Sequence, residues 1–250
     1  DPDAPMPYWG VALSLGPNIN AAMDPKVEPR AVEAMQKATA RLSQATARER
    51  AYVEALAARY SAKKSVTRKA KDEAYAKAMR QVAREAPDDA DAATIAAEAM
   101  MVLRPWDYWR ADGRPQPGTE EILAILEAAL RQHPDHPGAC HYYIHAVEAS
   151  PDPQRALDCA KRLPSLMPGA GHLVHMPAHI YMRLGRYREA SERNATAAMV
   201  DHEYLSRHPL EGNYASGYYA HNLHFLNASL MMEGRSAEAL QVARDLLVKF

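Results

Sequence analysis

The chain has 250 residues, 48% of them apolar, only two phenylalanines and a formal charge of −1. That apolar content excludes a disordered polymer, and the near-neutral charge offers no bulk attraction for nucleic acid or an anionic membrane. No apolar run reaches about 18 residues, so no membrane span is expected.

Stretches rich in Ala, Leu, Met, Glu and Arg favour helix over sheet. In chain order the predicted helices cover about 5–15, 29–43, 47–60, 70–85, 90–103, 119–132, 138–149, 153–164, 171–183, 187–200, 217–232 and 236–249, with Pro and Gly at most joints. Between the third and fourth, Ser61–Lys71 carries Lys63, Lys64, Arg68, Lys69 and Lys71. It reads as a solvated loop rather than a patch for an acidic partner, since no aromatic residue interleaves it. Cys140 and Cys159 read as buried small side chains on paired helices, and nothing calls for a disulfide. No signal peptide is visible, Asp1 is not an initiator, and the last apolar helix is cut at Leu246–Phe250. The expectation is a processed or partial chain, soluble, either cytoplasmic or exported.

A repeat runs through the second half. On a 34-residue shift Pro134 falls on Pro168, Ile122 on Ala156 and Ala190, and Ala129 on Leu163 and Ala197. The last unit reads L-G-R-Y-R-E-A from Leu184 to Ala190, followed by Ala197 and Asp201. Small residues and terminal prolines at this period mark helix pairs stacked in a solenoid. The pattern resembles the tetratricopeptide repeat (TPR), whose second-helix signature is met by Gly185, Tyr187, Ala190 and Ala197 and returns as Gly234, Ala239 and Leu246.

The resemblance covers about 119–201 and continues to 250 after a 15-residue insertion around His202–Gly217. Toward the N-terminus it loosens: Pro87–Met101 aligns with Pro134–Glu148 at a shift of 47, the excess lying in Arg104–Gly118, and Tyr8–Gly16 resembles the end of another unit. It implies one all-α domain over 1–250, a right-handed α-α superhelix of stacked antiparallel helix pairs. The looser, inserted repeats occupy 1–118 and the clearer ones 119–250.

All eleven histidines lie between His133 and His224. His141 and His145 recur as His175 and His179; His172 and His175 recur as His221 and His224. In the resembled family the first helix of each pair lines a concave groove at the second, fifth and ninth places of the motif. By that register the groove holds His172, His175 and His179; Gly138, His141 and His145; His221, His224 and Ala228; and, in the looser repeat, Asp91, Thr94 and Glu98.

Helix geometry gives the pattern chemical meaning. Residues four apart share a face, so His141/His145 and His175/His179 can each clamp an ion. Packed helices lie about 8–10 Å apart and metal–nitrogen bonds are about 2 Å, so ligands from neighbouring helices can meet. The candidate metal ligands are His141, His145, His175, His179, His172, His224, His221 and Glu98. Imidazole with carboxylate suits Zn, Cu, Fe or Ni; three ligands and an open position would make a catalytic site. Pro177 between His175 and His179 suggests a helix that starts near Met176, leaving His172 and His175 on the loop Gly169–His175.

Further candidates for the groove are Glu148, Asn222, Asn227, Tyr142, and Trp106 and Trp109 of the cluster Arg104–Trp109, which otherwise reads as packing against the solenoid. His133 and His136 read as solvated turn residues, and His202 and His208 as lid residues. There is no phosphate loop, nucleophile elbow, zinc-finger spacing or HExxH. The leading reading is therefore a transition-metal site in the groove; whether it serves a metal-dependent enzyme, and of what reaction, the sequence leaves open. The alternative is a metal-free scaffold that binds a peptide, partner protein or small ligand there, although such grooves usually present Lys, Arg and Asn. Clustered imidazoles without metal would also serve acid–base chemistry.

Overall fold

The computed structural model describes residues 3–60, 66–208 and 214–249. Among them every regular element is a helix, apart from the isolated bridges Asn18–Ala21 and Trp109–Pro115, and no helix is long and apolar enough to cross a membrane. The chain forms two compact units, Asp1–Gln132 and His133–Phe250.

The first unit contains α1 (Met6–Ser14), α2 (Glu28–Thr39), α3 (Ala47–Ala57), α4 (Arg68–Glu85), α5 (Ala90–Met101) and α6 (Thr119–Gln132). Side-chain oxygens of Thr46, Thr67 and Asp89 cap α3, α4 and α5, satisfying N–H groups that a helix start leaves open. Alanines and a few large side chains, Met35, Leu56, Tyr75 and Met79, close the core. Of the predicted basic loop, Lys63 and Lys64 lie outside the described residues. Arg68 and Lys71 belong to α4 and pair with Glu28, so this end of the stretch is a cross-linked helix start rather than a solvated loop.

The second unit contains α7 (Pro137–Val147), α8 (Leu157–Leu166), α9 (Gly171–His175), α10 (Pro177–Arg183), α11 (Tyr187–Arg207), α12 (Ala220–Met232) and α13 (Ser236–Lys249). Its helices pack in succession: α8 meets α7, α9 and α10, α11 meets α9, α10 and α12, and α12 meets α13. Two joints are built alike. After α10, Arg186 N–H donates to Tyr181 O at 2.8 Å across Gly185 (φ 70°); after α12, Arg235 N–H donates to Leu230 O at 3.0 Å across Gly234 (φ 76°). Both are left-handed helix ends that favour glycine. Cys140 and Cys159 are buried and free.

Two departures from the expected boundaries bear on the site. The helix begun at Tyr187 runs on to Arg207, because the first strong breaker after Gly185 is Pro209. Pro177 splits the predicted 171–183 helix. It has no N–H to continue the ladder, yet Met176 keeps helical angles (φ −47°, ψ −37°). His172 and His175 therefore sit on a helical turn, not on a loop, and His179 follows in the next helix.

Candidate metal centre

Four helices of the second unit carry the six clustered histidines. His141 and His145 are one turn apart on α7. His172 and His175 lie on α9, His179 on α10 and His221 on α12. The rings form a continuous array, with centroids 4.9 Å apart for His141/His145, 5.1 Å for His141/His172, 4.7 Å for His175/His179 and 4.8 Å for His175/His221. His145, His175 and His179 are only 2%, 0% and 5% exposed; His141, His172 and His221 are half-buried.

Three groups bring one donor atom from each member within 4.8 Å of the others, close enough to hold a metal ion: His141/His145/His172, His175/His179/His221 and His145/Glu148/His179. In the first, His141 Nε2 stands 3.1 Å from His172 Nε2; in the second, His175 Nε2 stands 2.9 Å from His179 Nε2.

The hydrogen bonds around these rings decide which nitrogens are available. Glu148, just past the end of α7, spreads its carboxylate between two of them: Oε1 is 2.9 Å from His145 Nδ1 and Oε2 is 2.6 Å from His179 Nδ1. A carboxylate accepts, so both Nδ1 atoms carry hydrogen. His175 Nδ1 is 2.6 Å from Asn194 Oδ1, while the Asn194 amide nitrogen donates to Ala190 O at 2.9 Å. The amide oxygen therefore faces the ring and His175 Nδ1 also carries hydrogen. In the neutral rings, His145, His175 and His179 then present bare Nε2 lone pairs. At 2.9 Å, His175 and His179 aim two such lone pairs at each other. Only a cation, either a proton or a metal ion, makes that contact favourable. Acceptors behind each imidazole are the usual support of metal-bound histidine.

Electrostatics run the same way. Burial holds His141, His172 and His175 well below their ordinary pKa, and the charges of neighbouring imidazoles add to it. Burial also lowers His145, against the pull of Glu148, and brings His221 to about 4. Burial opposes charge on Glu148 too, but His179 and His145 outweigh it and hold the carboxyl well below the usual range. His141, His145, His172, His175 and His221 are thus held toward the neutral, donor form beside one ionised carboxylate. His172 Nδ1 is buried with no hydrogen-bond partner.

The remaining candidates lie elsewhere or act indirectly. His224 is exposed and belongs to none of the three groups, although it lies one turn from His221 on α12. Glu98 is buried in the first unit, where burial raises its carboxyl to about 7 against the effect of Arg59, and it joins none of the groups. Trp106 (48% exposed, φ 64°) and Trp109, which bridges to Pro115, occupy the first unit's loop after α5. Tyr142 lays its ring 4.6 Å from that of His141. Asn222 donates to Asp201 Oδ2 at 2.6 Å, and Asn227 donates to Ala239 O at 2.6 Å. Both amides thus join helices rather than offer their donors to a ligand. His136, read as solvated, caps α7: its Nδ1 accepts from Ala139 N–H at 3.0 Å. His133, His202 and His208 are exposed.

Sequence reasoning missed Asn194, Phe225 and Asp201. The Phe225 ring packs on His175, His179 and His221 at 4.9, 4.6 and 4.8 Å. Asp201 ties Tyr214 and Asn222 to α11 and lies against Gly171 so closely that a Cβ there would come within 1.9 Å of its Oδ1. A signal did exist. Ala190, Asn194, Ala197 and Asp201 form one helical stripe, all 0% exposed, and two polar residues on such a stripe need buried partners.

No protein-family model and no curated protein matches this chain.

Proposed function

We propose that the second unit is a transition-metal centre carried by TPR-like helix pairs, its imidazoles contributed by α7, α9, α10 and α12. The observation that carries this reading is the 2.9 Å approach of His175 Nε2 to His179 Nε2 with both Nδ1 atoms engaged by acceptors. Two nitrogens each about 2 Å from one ion stand roughly 3 Å apart, the separation seen here. Neutral imidazole suits Zn, Cu, Fe or Ni. Half-buried His141, His172 and His221 leave one side of the array approachable, which supports a site with an exchangeable position, where a bound ion supplies Lewis acidity or an activated water. The matching caps at Gly185 and Gly234, and full burial of the signature residues Ala190 and Ala197, favour the TPR-like arrangement.

The scaffold alternative is disfavoured by burial. A groove that grips peptides exposes its donors, whereas His145, His175 and His179 are at most 5% exposed and bonded to Glu148 and Asn194. Elemental analysis of tag-free protein tests the choice, with His141→Ala/His145→Ala beside it. Near-stoichiometric metal that falls in the double variant is expected. No metal in either protein after reloading would return the array to the scaffold reading.

A further inference from the structure

We infer that the array holds two metal ions side by side, one in His141/His145/His172 and one in His175/His179/His221. This rests on the metal reading above and goes beyond it in number and arrangement. The six imidazoles fall into two sets of three that share no residue, each with its donors within 4.8 Å. Each set contains one pair of nitrogens already at the spacing of two ligands on one ion, 3.1 Å for His141/His172 and 2.9 Å for His175/His179. Each also contains one i,i+4 pair, His141/His145 or His175/His179, and a third ring from another helix.

The third group, His145/Glu148/His179, has a different character. Both Glu148 oxygens are engaged by Nδ1–H groups at 2.9 and 2.6 Å, so the carboxylate is a brace behind the ligands rather than a ligand. Because it braces one ring from each set, Glu148 fixes the two sites against each other. The sets also abut directly, with His145/His179 centroids at 5.1 Å and His172/His175 at 5.9 Å. Two divalent ions this close repel strongly. The carboxylate of Glu148 offsets part of that repulsion, and a small anion bridging both ions, such as hydroxide or an oxyanion of a substrate, would offset more. Paired ions that clamp one ligand are an established arrangement for activating it.

The full chain, stripped with chelator and reloaded with Cu2+ alone, tests this by metal content after desalting and by electron paramagnetic resonance. Two equivalents per chain with coupled spins are expected. His172→Ala and His221→Ala, with His172→Asn and His221→Asn as size-conserving partners, should each keep one equivalent and give an uncoupled signal, with helix content unchanged by circular dichroism. Saturation of the wild-type chain at one equivalent overturns the pair and leaves a single centre standing. Two equivalents with uncoupled spins also overturn the pair. No retained metal removes the metal reading itself.

Discussion

Glu148 Oε2 lies 2.6 Å from Nδ1 of His179, 31 residues further along the chain, while its other oxygen holds His145 at 2.9 Å. One carboxylate thereby sets the tautomer of two buried imidazoles on different helices. Glu148→Gln preserves shape but offers a single acceptor oxygen, so one of the two rings loses its acceptor. Metal affinity is expected to fall about 10–100-fold, with helix content intact. Competition against a chromophoric chelator measures it, and an unchanged affinity would refute the bracing role.

Acid should loosen the metal-free protein. Unfolded imidazoles protonate near 6.5, whereas burial keeps His141, His172 and His175 neutral well below that and His221 neutral to about 4. In that window the unfolded chain binds more protons than the folded one. Stability is therefore complete above about pH 6.5 and is lost as pH falls toward 4. Urea midpoints recorded across pH 4–8 should drop on the acid side, and a flat profile would contradict the neutral array. Metal should shift the loss to lower pH, since the ion competes with the protons.

Gly171→Ala should destabilise by about 1–3 kcal/mol, the usual range for overpacking. A Cβ at this position would stand 1.9 Å from Asp201 Oδ1 and 2.5 Å from Asp201 Cγ, forcing α9 away from α11. Because His172 and His175 ride on α9, metal retention should fall with it. Thermal unfolding and metal content checked together decide this, and wild-type values in both would show that the helices have room.

The two histidines of the turn before α7 should behave differently from each other. His136→Ala removes the acceptor for Ala139 N–H and is expected to cost about 0.5–2 kcal/mol. His133 is exposed, and its replacement by alanine should stay within about 0.5 kcal/mol of wild type. Neither should alter metal content. Equal urea midpoints for the two variants would remove the cap from the account.

Sequence alone determined the helical class and most helix bounds, because alanine-rich amphipathic stretches divided by Pro and Gly admit few other folds. It also singled out the histidine columns, since spacing of four residues places rings on one helix face whatever surrounds them. Tertiary structure decided the rest. Whether His221 or His224 faces the array depends on the rotation of α12, and whether Glu148 binds metal or braces ligands depends on the approach of α10 to α7. Asn194 and Asp201 acquired meaning only when α11 buried them, because an unpaired polar group in a core must find a partner and the nearest partners were His175, Tyr214 and Asn222. Local periodicity is written in neighbouring residues. The grouping of donors from four helices is fixed by packing between segments distant in the chain, which no local pattern encodes.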